Sequence, residues 1–322
     1  MKSSSFAISS TVKAPYDEVL WFAHYHLEAG ASHIFLWLDD PSDPAAERIK
    51  DPRITVTRCD SSHWDALGVE DRGNIQARRS GNAIRALELA EGLGIDWVAV
   101  IDYDEILYSG RPLTEVFSQV DDRVDVLRFE VWEAAMTRHD NPRPFEDVTY
   151  FKPHPLPLQV ARAGSPMIYI QWVSFILRLF IAKLLGVRSA THKTFTVGHR
   201  SGKSAMRSRC RFPAIGSHAP VPSPDQTVVW RAARGAALLH FDTCDYSGWK
   251  QKWNARQSGS LQWVGRDHRR RYMDDYQLAV KGGDESLREF FITTKGLTPR
   301  TCNILTMLGL LKKVSLRKPS ID

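Results

Sequence analysis

A chain of 322 residues is long enough for one large domain or two modest ones, each with a real core, which excludes a small stapled scaffold. At 43% apolar and 25% charged the composition is globular, yet the net charge of +6 conceals an asymmetry. Residues 1–150 carry 15 Lys and Arg against 27 Asp and Glu, and residues 151–322 carry 28 against 10. An acidic half suits a bound cation, and a basic half suits phosphates, an anionic polymer or a membrane surface.

In chain order, Phe6 to Thr11 reads as a first buried strand, followed by a helix opened by Pro15, running to about Glu28 and closed by Gly30. His33 to Leu38 is a second strand ending in Asp39-Asp40-Pro41, and Ile54 to Thr57 a third. Asn74 to Gly92 is a long helix with Ala83, Ala86, Leu87 and Ala90 on one face. The clearest strand, Asp96 to Ile101, runs straight into Asp102-Tyr103-Asp104-Glu105. Strands alternating with crossover helices predict an α/β fold with a mainly parallel sheet. Val124 to Trp132 reads as another strand and Asn141 to Pro157 as a loop with five prolines. Ile168 to Val187 approaches membrane-span length but contains Gln171, Arg178 and Lys183, and reads as an amphipathic or buried helix. A basic stretch from His192 to Arg211 and a proline-rich segment follow, and from Tyr246 onward the chain reads helical and polar.

Cys59, Cys210, Cys244 and Cys302 form no C-x-x-C pair, so neither a zinc ribbon nor a disulfide framework is expected; the thiols read as free in a reducing compartment. The first residues turn polar too soon for a signal-peptide core, and the expected location is cytoplasmic, with peripheral contact to the inner face of a membrane open.

The chemistry concentrates at Asp102-x-Asp104-Glu105, at the carboxyl end of a buried strand, where open α/β sheets bind ligands. Strand alternation would let Asp102 and Asp104 address one hard cation while Tyr103 points elsewhere. Mg2+ or Mn2+ suits oxygen ligands shared with a substrate diphosphate. The competing reading is an acidic loop capping the next element. Asp39 and Asp40 by themselves read as turn and helix-cap residues before Pro41. Lys203 and Arg207, four apart, would reach diphosphate oxygens together if helical, or form a solvated basic face.

Several segments in order resemble the GT-A glycosyltransferases of the family-2-like group. They are Thr11-Val12-Lys13-Ala14-Pro15 after the first strand, Phe22-Ala23-His24-Tyr25-His26-Leu27, Gly30-Ala31-Ser32-His33, Leu38-Asp39-Asp40, and the helix with Arg79 and Asn82. Gly94-Ile95-Asp96-Trp97, Ile101-Asp102-Tyr103-Asp104-Glu105, Gly202-Lys203-Ser204-Ala205-Met206-Arg207 and Leu239-His240-Phe241 with Trp249-x-x-x-Trp253 complete the series. The likeness spans roughly residues 6–256 and is strongest before 110.

The resemblance implies a GT-A, Rossmann-like core at 1–150 that binds a nucleotide sugar, an acceptor-side region at 151–245 and a helical region at 246–322. It implies metal-dependent, inverting transfer of a sugar from a nucleoside-diphosphate donor to a hydroxyl on a glycan, a lipid-linked acceptor or a small molecule, with Mn2+ or Mg2+ as cofactor. Asp102, Asp104 and His240 are then the metal ligands, and Thr11, Lys13, Asp39, Asp40, Arg79, Asn82, Asp102, Lys203 and Arg207 the donor contacts. Glu130, Glu133, Asp225 and Asp242 compete for general base, with Glu133 and Asp225 preferred.

Two other classes stand beside this reading. A haloacid-dehalogenase-like phosphatase also uses a strand followed by D-x-D, but prefers Gly and Thr where this chain has Glu105 and Ile106. A non-enzymatic basic protein could use Arg269-Arg270-Arg271 on a membrane or nucleic acid; the acidic first half argues against a nucleic-acid partner. The P-loop-like Gly198 to Ser204 has one residue too few between its glycines for a phosphate cradle.

Overall fold

The computed structural model describes residues 4–138, 141–156, 166–187, 195–196, 198, 200–258 and 267–321; side chains 166–168 and 267–271 are outside the description, so the Arg269-Arg270-Arg271 reading is not addressed. The molecule is a mixed α/β structure, a curled Rossmann-like sheet flanked by helices. Its first strands, β1 (Phe6–Val12), β2 (His33–Leu38), β3 (Ile54–Arg58) and β4 (Trp97–Val100), lie parallel in the order β3-β2-β1-β4. Alternate residues feed opposite cores: Ile8, Ile34, Leu36 and Trp97 face one, and Ala7, Phe35, Trp37 and Val98 the other. A sheet buried on both faces explains why these strands read as nearly continuous apolar runs.

Helix α1 (Tyr16–Glu28) covers the first face with Val19, Phe22, Ala23 and Leu27. After the short helices α2 (Ala45–Arg48) and α3 (Ser61–Ala66), α4 (Ile75–Gly92) covers the second with Ala83, Ala86, Leu87 and Ala90; the Asn74 side chain caps it by accepting from the Gln76 amide at 2.9 Å.

The far half of the sheet is built differently. Strand β5 (Glu105–Ser109) follows the acidic turn and α5 (Leu113–Ser118) follows β5. Next come β6 (Val126–Ala135), α6 (Pro144–Asp147), β7 (Tyr150–His154) and α7 (Pro166–Leu184). The proline-rich stretch expected as loop therefore contains a helix and a strand, with Pro153 opposite Trp132. Strand β8 (Lys203–Arg207) inserts antiparallel between β4 and β6. The hairpin β9 (Ala214–Ile215) and β10 (Pro220–Val221) packs on α4, the Ile215 amide donating to Ser80 Oγ at 2.9 Å. Strand β11 (Trp230–His240) runs parallel to β6 and antiparallel to β5.

Four helices close the chain: α8 (Tyr246–Gln257), α9 (Asp267–Lys281), α10 (Gly283–Lys295) and α11 (Pro299–Met307). Trp249, Trp253, Tyr276 and Phe291 join the same core as Phe6 and Ile8, and β12 (Lys312–Lys313) returns to pair with β7.

Candidate functional site

Strand β4 stops at Val100, and Asp102-Tyr103-Asp104 forms a turn, so strand alternation does not carry through to the two aspartates. They part company. Asp102 takes Lys203 Nζ at 2.8 Å and Arg79 at 3.0 Å. Glu105, fully buried at the start of β5, accepts the Asp102 amide at 2.8 Å and lies 3.4 Å from the same Lys203. Burial pushes the Glu105 carboxyl up, against the pull of Lys203; burial would lower the Lys203 ammonium, but Asp102 and Glu105 outweigh it and hold it raised.

Asp104 faces a different group. In β11, His240 sits opposite Glu105 of β5 and Glu133 of β6, and the Phe241 amide donates to the Asp104 carbonyl at 2.8 Å. These pairings bring His240 Nε2 to 3.9 Å from Asp104 Oδ2 and carry Asp242 alongside. Asp104, His240 and Asp242 each offer a ligand atom, all within 4.8 Å of one another. Two carboxylate oxygens and one borderline imidazole nitrogen form a mixed O/N donor set that suits Mn2+ better than Mg2+.

The electrostatics divide the two carboxylates. Burial raises Asp104, opposed by His240 and Lys252 and reinforced by Asp102 and Glu105. Burial works against an ionised Asp242 too, but Lys252, Lys295 and His240 outweigh it and hold its carboxyl well below the usual range. Lys252 contacts the Asp242 carboxylate directly, and Lys295 Nζ donates to the Asp242 carbonyl at 3.0 Å. Thr243 follows at φ 50°, a conformation that disfavours a β-branched residue, so packing holds this corner against local preference.

Glu133 is 2% exposed and accepts the Gly198 amide. A Cβ at Gly198 would stand 2.8 Å from Glu133 Oε2 and 3.0 Å from His240 Nδ1, so this loop presses onto both side chains. Lys152, opposite Glu133 across the β6–β7 ladder, is lowered by burial against the attraction of Glu133. Asp225, the other preferred base, occupies an exposed turn; its neighbour Gln226 donates to the carbonyl of Arg211, whose side chain reaches Glu91 near the C-terminal end of α4. Glu130 accepts from Trp132 Nε1 at 2.8 Å.

The first two strands place further expected residues. Thr11 Oγ1 accepts from Asn82 Nδ2 at 3.0 Å, and the buried Asn82 also pairs with His63 Nε2 at 2.8 Å. Lys13 and Asp40 line a cavity of about 450 Å3 with Tyr16 and Ser42. Asp39 binds Arg78 through two bonds of 2.8 and 2.9 Å, whereas Asp40 caps its own turn through Ser42, whose hydrogen bonds lower its carboxyl. Lys203 and Arg207 are separated: β8 is a strand, and Arg207 ends it stacked on Trp97 and 3.2 Å from Asp122. Asp242 was legible as a candidate base; the H-x-D spacing at 240–242, echoing D-x-D, was the signal for its place beside Asp104. Lys252 and Lys295 carried no such signal.

No known family profile matches the chain. An alignment of 167 positions that covers 45% of this chain gives 22% identity to a protein of Arabidopsis thaliana described as glycosyltransferase-like. The match spans 32% of that relative, so the chain covers about a third of its length. Among solved structures, it aligns with a mannose-1-phosphate geranyltransferase from Thermus thermophilus at 14% identity and a TM-score of 0.24, over 47% of this chain and 49% of that one. A putative glucose-1-phosphate thymidylyltransferase from Bacillus anthracis aligns at 14% identity and a TM-score of 0.23, over 42% and 56%.

Proposed function

We propose that the chain is a metal-dependent glycosyltransferase that moves a sugar from a nucleoside-diphosphate donor to a hydroxyl acceptor with inversion. The observation that carries this reading is the convergence of Asp104, His240 and Asp242 beyond the carboxyl end of β4. The similarity to the glycosyltransferase-like plant protein supports it. A divalent ion held by these three side chains would offset the charge that builds on a leaving diphosphate.

The chain's own groups supply the rest. Thr11, Lys13, Asp39 and Asp40, at the ends of β1 and β2, are the proposed nucleoside contacts, and Asn82 orients Thr11. Arg79 and Lys203 hold Asp102 and set the wall of the donor site. Glu133, adjacent to His240, takes the proton of the acceptor hydroxyl onto its carboxylate. Its position favours it over Asp225, whose turn is solvent-exposed and tied to Arg211 through Gln226.

Thermal-shift measurements with a panel of nucleoside diphosphates, with and without Mn2+, test the reading. A ligand selective for the folded state raises the Tm. One diphosphate should stabilise the wild type only with metal, and Asp104→Ala and Asp242→Asn should abolish that increment. Absence of stabilisation by every nucleotide with every metal would sink the proposal.

A further inference from the structure

Helix α7 has two unlike faces. Phe175, Leu179 and Ala182 are buried against Leu305, Leu310 and Leu311. On the other side Ile170, Val173, Leu177, Phe180 and Leu184 are 63, 70, 57, 57 and 71% exposed. Their spacing of three, four, three and four residues makes one continuous stripe, about 21 Å long at the helical rise. Tyr169, 51% exposed, stands at one end of it. A contiguous apolar stripe of this length on a surface marks an interaction site, since leaving it in water forgoes the gain from burial.

Charge identifies what covers it. The 77 residues between Asp147 and Asp225, which include all of α7, contain eleven Lys or Arg and no Asp or Glu. Lys183 is exposed on the helix itself. Exposed Arg300 reaches toward Gly186 just beyond it, and exposed Lys312 and Lys313 follow directly on Leu310 and Leu311, which pack under the helix. Two copies of this face would meet with rims of the same sign, so self-association is disfavoured. Apolar side chains framed by cations match a phospholipid interface, with acyl chains below and anionic headgroups at the margin. Among the described residues no helix is long and apolar enough to cross a membrane. Arg178 ties α7 to the body through the carbonyls of Leu308 and Gly309, at 3.4 and 3.3 Å, so one face alone is free to enter lipid.

We propose that the exposed face of α7, with Lys183 on the helix and Arg300 beside its C-terminal end, lies in the interface of an anionic phospholipid bilayer. The inference is independent of the catalytic reading and is tested without donor or acceptor. The full chain is floated with vesicles of phosphatidylglycerol and phosphatidylcholine, and with phosphatidylcholine alone, at low and high salt. The expected result is association with the anionic vesicles, weakened by salt and reduced about tenfold or more by Val173→Glu with Phe180→Glu, because both substitutions put charge into the acyl boundary. No association by the folded wild type, or equal retention of the substituted chain at its native Tm, would overturn the proposal. So would a wild-type dimer that the same substitutions dissociate without any vesicle binding, which would assign the face to a second copy. Should the substituted chain fail to fold, the milder pair Val173→Ser with Phe180→Ser decides: weakened association with anionic vesicles at a native Tm supports the inference, and unchanged association refutes it.

Discussion

Two histidines in this chain stand in opposite surroundings. His240 stands among carboxylates at the end of β11, whereas His26 is fully buried between α1 and β5. The Leu107 amide donates to His26 Nε2 at 3.1 Å, which leaves Nδ1 as the protonated nitrogen facing the Phe22 carbonyl at 2.8 Å. Both ring nitrogens are thus satisfied in the neutral form, and burial pushes the imidazole down to about 4. Because the unfolded chain binds this proton more readily, the contribution to stability is complete above pH about 6.5 and is lost as pH falls toward 4. That loss is on the order of 3 kcal/mol. Urea unfolding from pH 7 to 4 should show it in the wild type and not in His26→Gln, whose amide can donate and accept but does not titrate. Parallel pH profiles for the two proteins would contradict the assignment.

At the scale of elements, β8 decides how the site is assembled. Lys203, Ser204 and Arg207 are polar, yet all three are buried, because each finds a partner: Asp102, the His218 carbonyl, and Asp122 with the Trp97 ring. Gly202 leads into this strand at φ 70°, and a Cβ there would stand 2.0 Å from the Phe129 carbonyl oxygen. Only glycine fits so close an approach to β6. Gly202→Ala should therefore lower stability by about 2 kcal/mol or more, read from the denaturation midpoint, and displace Lys203 from Asp102. A variant as stable as the wild type would show that the β8–β6 contact yields more easily than its geometry implies.

At the scale of the molecule, one sheet draws strands from residue 6 to residue 313, and the last helices complete the core that the first strands begin. Trp249, Trp253, Tyr276 and Phe291 are at most 2% exposed and pack in the same cluster as Phe6, Ile8 and Trp97. Removing them would open a large apolar cavity in this core. A chain ending at residue 245 should accordingly lack a cooperative thermal transition, and the intact chain should unfold in one calorimetric step. A folded 1–245 fragment with its own sharp transition would mean that the N-terminal strands hold a self-sufficient core. The charge asymmetry has a spatial counterpart: Lys203, Arg207, Arg209 and Arg211 of the basic half pair with Asp102, Asp122, Asp125 and Glu91 of the acidic half.

The sequence by itself determined the parallel half of the fold and marked out residues of the proposed site. Apolar runs bounded by turn residues located β1 to β4, and periodicity with Asn74 as cap located α4, since these signals are local and buried strands tolerate little else. It also singled out Asp104, His240 and Glu133, which the structure brings together. What only tertiary structure decided was pairing. Strand β7, which carries Pro153, and the polar β8 become strands because β6 and β4 supply their ladders, and no local preference announces that. Asp102 is held in ion pairs by Arg79 of α4 and Lys203 of β8, both distant from it in the chain. Asp242 came to Asp104 through the register of β11 against β5, a relation between strands about 130 residues apart that depends on which edges meet in space.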